Sequence, residues 1–171
     1  GTKKEGEKLM RYLALDIGTT TIKGLIYDEQ GKMIFLAEGK TKNYSCEPNL
    51  MEKDGEESLE IIIDVLRSLV QAVKEEKETI GFISLSGYMH SLMAVDLEGN
   101  PLTRLMMWND GRSFEYATKY KDNGSGQKIY ENTGTPIHAM GPLYKLMWLR
   151  DKESEIFEKA HKFISMKEFL L

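Results

Sequence analysis

The sequence is poor in cysteine and histidine and contains no long hydrophobic run. One of its 171 residues is a cysteine, Cys46, and its three histidines lie far apart. A single cysteine cannot form an internal disulfide, which favours a reducing compartment, the cytoplasm. The histidines and Cys46 do not have the spacing of a metal site. No segment approaches the roughly 18 apolar residues of a membrane-spanning helix, so we expect no membrane partner.

The chain also has fewer basic than acidic residues. The chain has 23 lysines and arginines against 27 acidic residues, a net charge of −4. Proteins that bind nucleic acid usually present a basic face, so the balance argues against a nucleic-acid partner. Residues 1–10 are mostly charged and lack the apolar segment of a signal peptide. We expect them to be an expression tag or a disordered start, with the folded part at 11–171.

What the sequence does contain is an apolar segment, Tyr12–Leu15, that leads into a polar turn. The segment predicts a short buried strand. Glycine lets the backbone approach a ligand closely, threonine hydroxyls and a lysine suit phosphate oxygens, and a carboxylate suits Mg²⁺. An ordinary strand, turn and strand explains the same residues, so both interpretations stay open here. The polar residues are Asp16, Gly18, Thr19, Thr20, Thr21 and Lys23.

The pattern along the whole chain predicts a mixed α/β sheet. Three strands precede a long amphipathic helix that starts at a capping box, Asp54–Glu57, and a buried strand follows it. Residues 39–53 are predicted to form a loop. The strands are predicted at 11–17, 20–27, 32–38, 80–86 and 161–165, a hairpin at 92–96 and 102–108, and further helices near 112–121, 126–132, from 142 and from 166.

A second group of chemically active residues is Trp108, Asp110 and Arg112. In an extended segment, residues at alternate positions share one face. Tryptophan stacks on the C–H faces of sugars, while a carboxylate and a guanidinium pair with hydroxyl groups. The group therefore suits sugar binding. A buried tryptophan beside a surface ion pair is the alternative.

Ser86–His90 directly follows the predicted buried strand of residues 80–86. Open α/β sheets bind ligands beyond the carboxyl ends of their strands, so Met89 and His90 are candidate ligand contacts. A lone histidine is more often structural, and that interpretation of His90 also stays open.

Four segments in order resemble motifs of the FGGY carbohydrate kinases, which belong to the actin, Hsp70 and hexokinase superfamily. Asp16–Lys23 resembles their first phosphate motif, and Trp108–Arg112 resembles their WxDxR motif. Ser86–His90 is similar to the GQMHG stretch of xylulokinases, with Tyr88 in place of the glutamine. Thr133–Pro142, which includes Met140, resembles the loop that closes the sugar pocket. The resemblance covers residues 11–171 and implies a ribonuclease-H-like actin fold.

The resemblance implies transfer of the γ-phosphoryl group of ATP, with Mg²⁺, to a sugar, a polyol or a sugar acid. Tyr88–Leu92 and Thr133–His138 resemble the gluconate kinase branch, although Ala139 and Gly141 depart from its pattern. Xylulose or another sugar is the alternative acceptor. A non-catalytic sugar-binding fragment and an actin-like or Hsp70-like ATPase are the alternative functions.

The resemblance also assigns roles to residues. The family's catalytic aspartate, second phosphate motif and adenosine pocket are expected beyond Leu171, so we expect the chain to be an amino-terminal part that is inactive alone. A homodimer of the full-length form is left open. The implied phosphate-binding residues are Gly18, Thr19, Thr20, Thr21 and Lys23, the metal-binding residue is Asp16, and the acceptor-binding residues are Met89, His90, Trp108, Asp110, Arg112 and Met140.

Overall fold

The computed structural model describes residues 9–45 and 47–171. They fall into two compact units: the first runs up to Thr41 and continues through Glu57–Gly87, and the second comprises Lys42–Glu56 and Tyr88–Leu171. Residues 1–8 of the predicted tag, and Cys46, lie outside the described residues.

The described elements are strands and helices, with most of the strands in the first part of the chain and most of the helices in the last. In chain order they are β1 (Met10–Ile17), β2 (Thr21–Tyr27), β3 (Met33–Lys40), β4 (Glu52–Lys53), α1 (Gly55–Glu75), β5 (Thr79–Gly87), β6 (Met93–Val95), β7 (Leu105–Met106), α2 (Phe114–Asp122), α3 (Ser125–Thr133), α4 (Pro142–Lys152), α5 (Ser154–Lys159), β8 (Lys162–Ile164) and α6 (Met166–Leu170). The residues predicted to be a loop at 39–53 instead include the end of β3 and all of β4, and α5 was not predicted.

A four-stranded sheet in the order β3-β2-β1-β5 forms the first unit. The first three strands are antiparallel neighbours, whereas β5 runs parallel to β1. A parallel neighbour requires a crossover connection, and α1 precedes β5 in the chain as that rule demands. The predicted mixed α/β sheet is therefore confirmed.

Helix α1 packs very closely on one face of this sheet. A Cβ added to Gly24 would lie 2.5 Å from Cδ1 of Leu69, and one added to Gly39 would lie 2.4 Å from Cγ2 of Ile61. The two strand glycines thus leave the room that the helix side chains occupy. The buried apolar residues of this unit are Leu13, Leu15, Ile17, Ile22, Ile26, Ile62, Val65, Leu69 and Val73.

The second unit corrects the hairpin that the sequence predicts at 92–96 and 102–108. Strand β6 pairs with β8, and β7 pairs with β4. The two predicted arms form no continuous ladder and are joined by isolated bridges, Leu92 with Met106 and Val95 with Pro101, and by bonds of Ala94 with Leu102 and Thr103. Pro101 has no N–H to continue a ladder, so the second arm leaves the strand conformation after the turn.

Two buried clusters form the core of the second unit. One consists of Leu92, Met106 and Leu149, and the other of Ala117, Ala139 and Tyr144. Both clusters include residues of α4, which therefore packs beneath the segments that carry the predicted acceptor residues. Over the described ranges, no helix has the length and apolar character needed to cross a membrane.

Candidate functional site

The turn between β1 and β2 has its backbone acceptors satisfied by the protein. Gly18 N–H donates to the carbonyl of Thr21 at 3.2 Å, and Thr41 N–H donates to the carbonyl of Thr20 at 3.0 Å. The hydroxyl of Thr41 donates to the carbonyl of Thr19 at 3.1 Å. Among the described residues no hydrogen bond engages the hydroxyls of the three threonines. The turn therefore has donors available while its carbonyls are occupied, which suits an anionic ligand.

Asp16 and Lys23 flank this turn. They are register partners across β1 and β2, and both side chains are exposed. In the part of the chain that the structure describes, no hydrogen bond or ion pair occupies the carboxylate of Asp16, and no group of three or more His, Cys, Asp or Glu side chains could hold a metal ion. One free carboxylate fits Mg²⁺ that keeps several waters and is held mainly by phosphates. It does not fit an all-protein metal cage.

Thr41 is a residue of this turn that the sequence analysis missed. It follows β3, and it is the only described residue that bonds both Thr19 and Thr20 in this way. A single threonine after a strand has no sequence signal of its own, because its role depends on the pairing of β2 with β3.

Replacing Gly18 by alanine should damage this turn. The added Cβ would lie 2.5 Å from the carbonyl oxygen of Thr21, so the turn must open. In the intact enzyme we expect kcat/KM for ATP to fall by about 10²-fold, because misplaced phosphate ligands cost catalysis. Steady-state kinetics with varied ATP measures the loss.

Gly31→Ala is the matched control, since Gly31 lies in the next turn of the same sheet with φ +78° and no atom near its missing Cβ. It should destabilise the protein by about 1 kcal/mol and leave ATP kinetics unchanged. Equal ATP kinetics for Gly18→Ala and wild type would remove the turn from the phosphate site.

The predicted acceptor residues lie on three loops of the second unit. Met89 is 68% exposed and Trp108 is 47% exposed, whereas His90 and Met140 are half-buried. His90 has a backbone φ of +64°, which a residue with a side chain rarely adopts. These side chains present apolar surface and one imidazole, which is suitable for the C–H faces and hydroxyl groups of a sugar.

Trp108, Asp110 and Arg112 do not share one face, and the expectation of an extended segment is wrong. Asp110 N–H donates to the carbonyl of Met107 at 3.0 Å, which closes a turn. One oxygen of the Asp110 carboxylate then accepts from the backbone N–H of Arg112 at 3.1 Å. Trp108 is thereby half-exposed, whereas Asp110 is 1% exposed.

The Asp110 carboxylate is fully engaged by protein donors. Its Oδ2 accepts from Met51 N–H at 2.9 Å and from Arg112 Nη2 at 2.9 Å, and its Oδ1 accepts from Arg112 Nε at 3.0 Å. The same guanidinium bonds Glu52 at 2.7 Å and lies 4.7 Å from the ring centre of Trp148. Burial alone would lower the pKa of Arg112, but the bonds and charges of Asp110 and Glu52 outweigh it and raise that pKa. An acceptor-binding role for Asp110 stays a prediction, and its carboxylate would need to release a protein donor to perform it.

Asp110→Ala should therefore destabilise the protein. It removes the acceptor of two backbone N–H groups, those of Met51 and Arg112, and leaves Glu52 as the remaining carboxylate partner of the Arg112 guanidinium. Breaking a buried pair costs about 3–5 kcal/mol. Urea or thermal unfolding measures the change. Asp64→Ala is the control, because the Asp64–Arg67 pair is 75% exposed on both sides and its loss should cost less than about 1 kcal/mol.

Equal stability of Asp110→Ala and Asp64→Ala would contradict the structural role of Asp110. In folded Asp110→Ala enzyme, a raised acceptor KM with normal ATP binding would support the role in acceptor binding that its sequence predicts.

Lys145 on α4 is another residue that the sequence analysis missed. It is fully buried, and its Nζ donates to the carbonyl of His90 at 2.5 Å and to that of Met107 at 2.7 Å. Burial lowers the pKa of Lys145 to about 8, while the charge of Asp110 raises it and that of Arg112 lowers it further. The lysine joins the loop of Met89 and His90 to the loop of Trp108.

The third loop is attached by Ser113, which is buried and donates its hydroxyl to the carbonyl of Ala139 at 2.8 Å. Met140 follows Ala139, and its N–H donates to Nδ1 of His138 at 3.1 Å.

Tyr88, in the loop after β5, has a buried hydroxyl with no hydrogen-bond partner among the described residues. Burial raises the pKa of this hydroxyl.

The residues predicted to bind phosphate and those predicted to bind the acceptor lie in different units. Within the first unit, the residues from Asp16 to Lys23 come together on one turn. Within the second, Asp110 and Arg112 are bonded directly, and His90 and the residue before Trp108 share Lys145 as a donor.

Comparison with known proteins agrees with this architecture. The profile of the FGGY family of carbohydrate kinases, N-terminal domain, matches residues 11–171. Gluconokinase from Bacillus subtilis is 35% identical over 158 residues, covering 92% of this chain and 30% of that protein. Xylulose kinase from Staphylococcus epidermidis is 30% identical over 158 residues, covering 92% of this chain and 31% of that protein. The crystal structure of gluconate kinase from Lactobacillus acidophilus matches with a TM-score of 0.90 at 31% identity, over 95% of this chain and 32% of that one.

The mixed sheet and these likenesses define the class of the fold, the actin-like fold of the FGGY sugar kinases. The chain belongs to the FGGY family of carbohydrate kinases. It spans about 30% of the length of the curated relatives it matches.

Proposed function

We propose that the chain is the amino-terminal part of an enzyme that transfers the γ-phosphoryl group of ATP to gluconate. The observation that carries phosphoryl transfer is the turn after β1, in which the threonine carbonyls are occupied by protein donors while the threonine hydroxyls are free. Such a turn offers an anion several free hydroxyl donors on a backbone held by protein hydrogen bonds, and phosphoryl transfer depends mainly on positioning and charge stabilisation.

In this proposal the first unit holds the phosphates. Gly18 and the three threonines contact phosphate oxygens, and Lys23 adds a positive charge. Asp16 would hold Mg²⁺, which when bound neutralises phosphate charge. The exposure of Asp16 and Lys23 on neighbouring strands supports these roles, because both can reach a ligand at the turn.

The second unit would bind the acceptor. Trp108, Met89 and Met140 supply apolar contacts for the C–H faces of the carbon chain. The gluconate carboxylate needs N–H donors, and the side chains of Arg112 and His90 are the candidates. Arg112 already pairs with Asp110 and Glu52, so we assign the carboxylate to His90.

We prefer gluconate to xylulose because the sequences of Tyr88–Leu92 and Thr133–His138 resemble those of the gluconate kinase branch. The likeness to gluconokinase, 35% identical, exceeds the 30% to xylulose kinase, which supports the same choice. Xylulose stays the second candidate because of that second likeness. A cytoplasmic location, suggested by the single cysteine, and a homodimer of the intact enzyme remain predictions.

The acceptor can be tested with a coupled assay of ATP consumption over a panel of gluconate, xylulose, glycerol and related sugars. We expect the intact enzyme to turn over gluconate with the highest kcat/KM. Strong turnover of xylulose with none of gluconate would make xylulose the acceptor in place of gluconate.

The 171-residue chain alone should give no phosphorylated product. We propose that the catalytic aspartate lies outside it, and a general base typically contributes about 10²–10⁴-fold to the rate.

The role of Asp16 can be tested with Asp16→Ala in the intact enzyme. We expect kcat to fall by about 10²-fold or more, as when other groups that stabilise transition-state charge are lost. The KM for the acceptor should change little, because Asp16 serves the metal and the phosphates. Normal kcat together with a much higher acceptor KM would contradict the assignment.

A further inference from the structure

Lys145 is a buried lysine with a specific pair of partners. Its Nζ donates to two backbone carbonyls, at 2.5 Å to His90 and at 2.7 Å to Met107. The two carbonyls belong to different loops, one after β5 and the other after β7. Lysine is almost never fully buried without such partners, so the burial and the two bonds belong together.

Both carbonyls adjoin predicted acceptor contacts. The first belongs to His90 itself, and the second belongs to the residue immediately before Trp108. The loops are also joined at their bases, where the N–H of Leu92 donates to Met106 O at 3.0 Å and the N–H of Met106 donates to Leu92 O at 2.8 Å. Beyond that bridge, Lys145 is the donor that both loops share.

The backbone of His90 needs such support. Its φ of +64° lies in the left-handed region, which is unfavourable for a residue with a side chain and persists where the surroundings fix it. The bond from Lys145 fixes the carbonyl of this residue, and so it fixes the direction in which the imidazole leaves the chain.

Burying the ammonium group of Lys145 costs desolvation free energy that an apolar side chain would not cost. The charge of Asp110 raises the pKa of Lys145 and that of Arg112 lowers it, so their effects oppose each other. Buried charges can often be replaced by apolar side chains of similar volume at no loss of stability. The ammonium provides what an apolar side chain cannot, which is two donors that reach carbonyls on separate loops.

We propose that Lys145 is a positioning residue for the acceptor site, which fixes the separation between His90 and Trp108 by binding the backbone of both loops. This inference rests on the proposed kinase function. It assigns Lys145 no contact with ATP, the metal or the transferred phosphoryl group.

The test is Lys145→Met in the intact enzyme, assayed with whichever acceptor the wild type phosphorylates best. We expect the acceptor KM to rise about 10- to 100-fold, since displacement of binding groups by about 1 Å has effects of this size. The KM for ATP should stay within about twofold of wild type. A lower melting temperature with an unchanged acceptor KM would overturn the proposal, because a merely structural lysine gives that pattern.

Lys53→Met is the matched control. Lys53 is also buried in the second unit, but its Nζ donates to the carbonyl of Lys42 at 3.1 Å and to Oδ1 of Asn43 at 2.7 Å. The Lys53→Met variant loses a buried ammonium group, as Lys145→Met does. We expect the acceptor KM of Lys53→Met to change less than about threefold. An equal rise of acceptor KM in both variants would overturn the specific role of Lys145.

Lys145→Arg provides the conservative variant. It retains the charge and the donors but moves them, so its acceptor KM should lie between the values of wild type and Lys145→Met. If Lys145→Met does not fold, Lys145→Arg decides: an acceptor KM equal to wild type overturns the proposal, and a rise with unchanged ATP KM supports it.

A second measurement does not depend on activity. Hydrogen–deuterium exchange should show faster exchange in both 88–92 and 107–112 of Lys145→Met, with the amides of β1 and β2 unchanged. Unchanged protection of both loops overturns the proposal. If the wild type phosphorylates no acceptor, the proposed function fails by itself, and the exchange data still decide whether Lys145 holds the two loops.

Discussion

The buried pair of Arg112 and Asp110 is the interaction on which the acceptor loops depend. Arg112 also bonds Glu52 of β4 and lies over Trp148 of α4, so one guanidinium joins three separate segments. Removing Asp110 takes away one of the two carboxylates of a largely buried arginine, which is far more costly than losing an exposed pair. The backbone that carries Trp108 is therefore held by the charged pair beside it.

In the first unit, the backbone of the turn between β1 and β2 is held by hydrogen bonds to its carbonyl groups. Gly18 and Thr41 bind the three threonine carbonyls, so a ligand at this turn meets hydroxyl donors and no free carbonyl from these residues. The backbone that carries these donors is held in place, so it need not reorganise when negative charge develops. In both units, the protein's own hydrogen bonds hold the backbone of the predicted site.

The elements of the first unit were predictable because their signals are local. β1, β2, β3 and β5 lie within two residues of their predicted bounds, and α1 begins within its predicted capping box, since strong periodicity and short turns specify them. The pairing of β6 with β8 joins Met93 to Ile164, and no local pattern encodes a contact at that separation. Lys145 was missed for another reason. The apolar residues of α4 are Leu143, Leu146, Met147 and Leu149, and of these the helix buries Leu149, together with Tyr144 and Lys145. A lysine between apolar residues of a helix is expected to face solvent, so the sequence gives no signal that Lys145 is buried.

The segment around Asp110 shows how a motif can be recognised while its geometry is not. Alternate residues share a face only in an extended chain, but Asn109, Asp110 and Gly111 are typical turn residues. In the turn, the Asp110 side chain accepts from the N–H two residues later, and that bond directs the carboxylate inward. The two charged residues then build the loop and the aromatic residue is left exposed. For such motifs, residue type indicates the chemistry, and the backbone decides which of the side chains can reach a ligand.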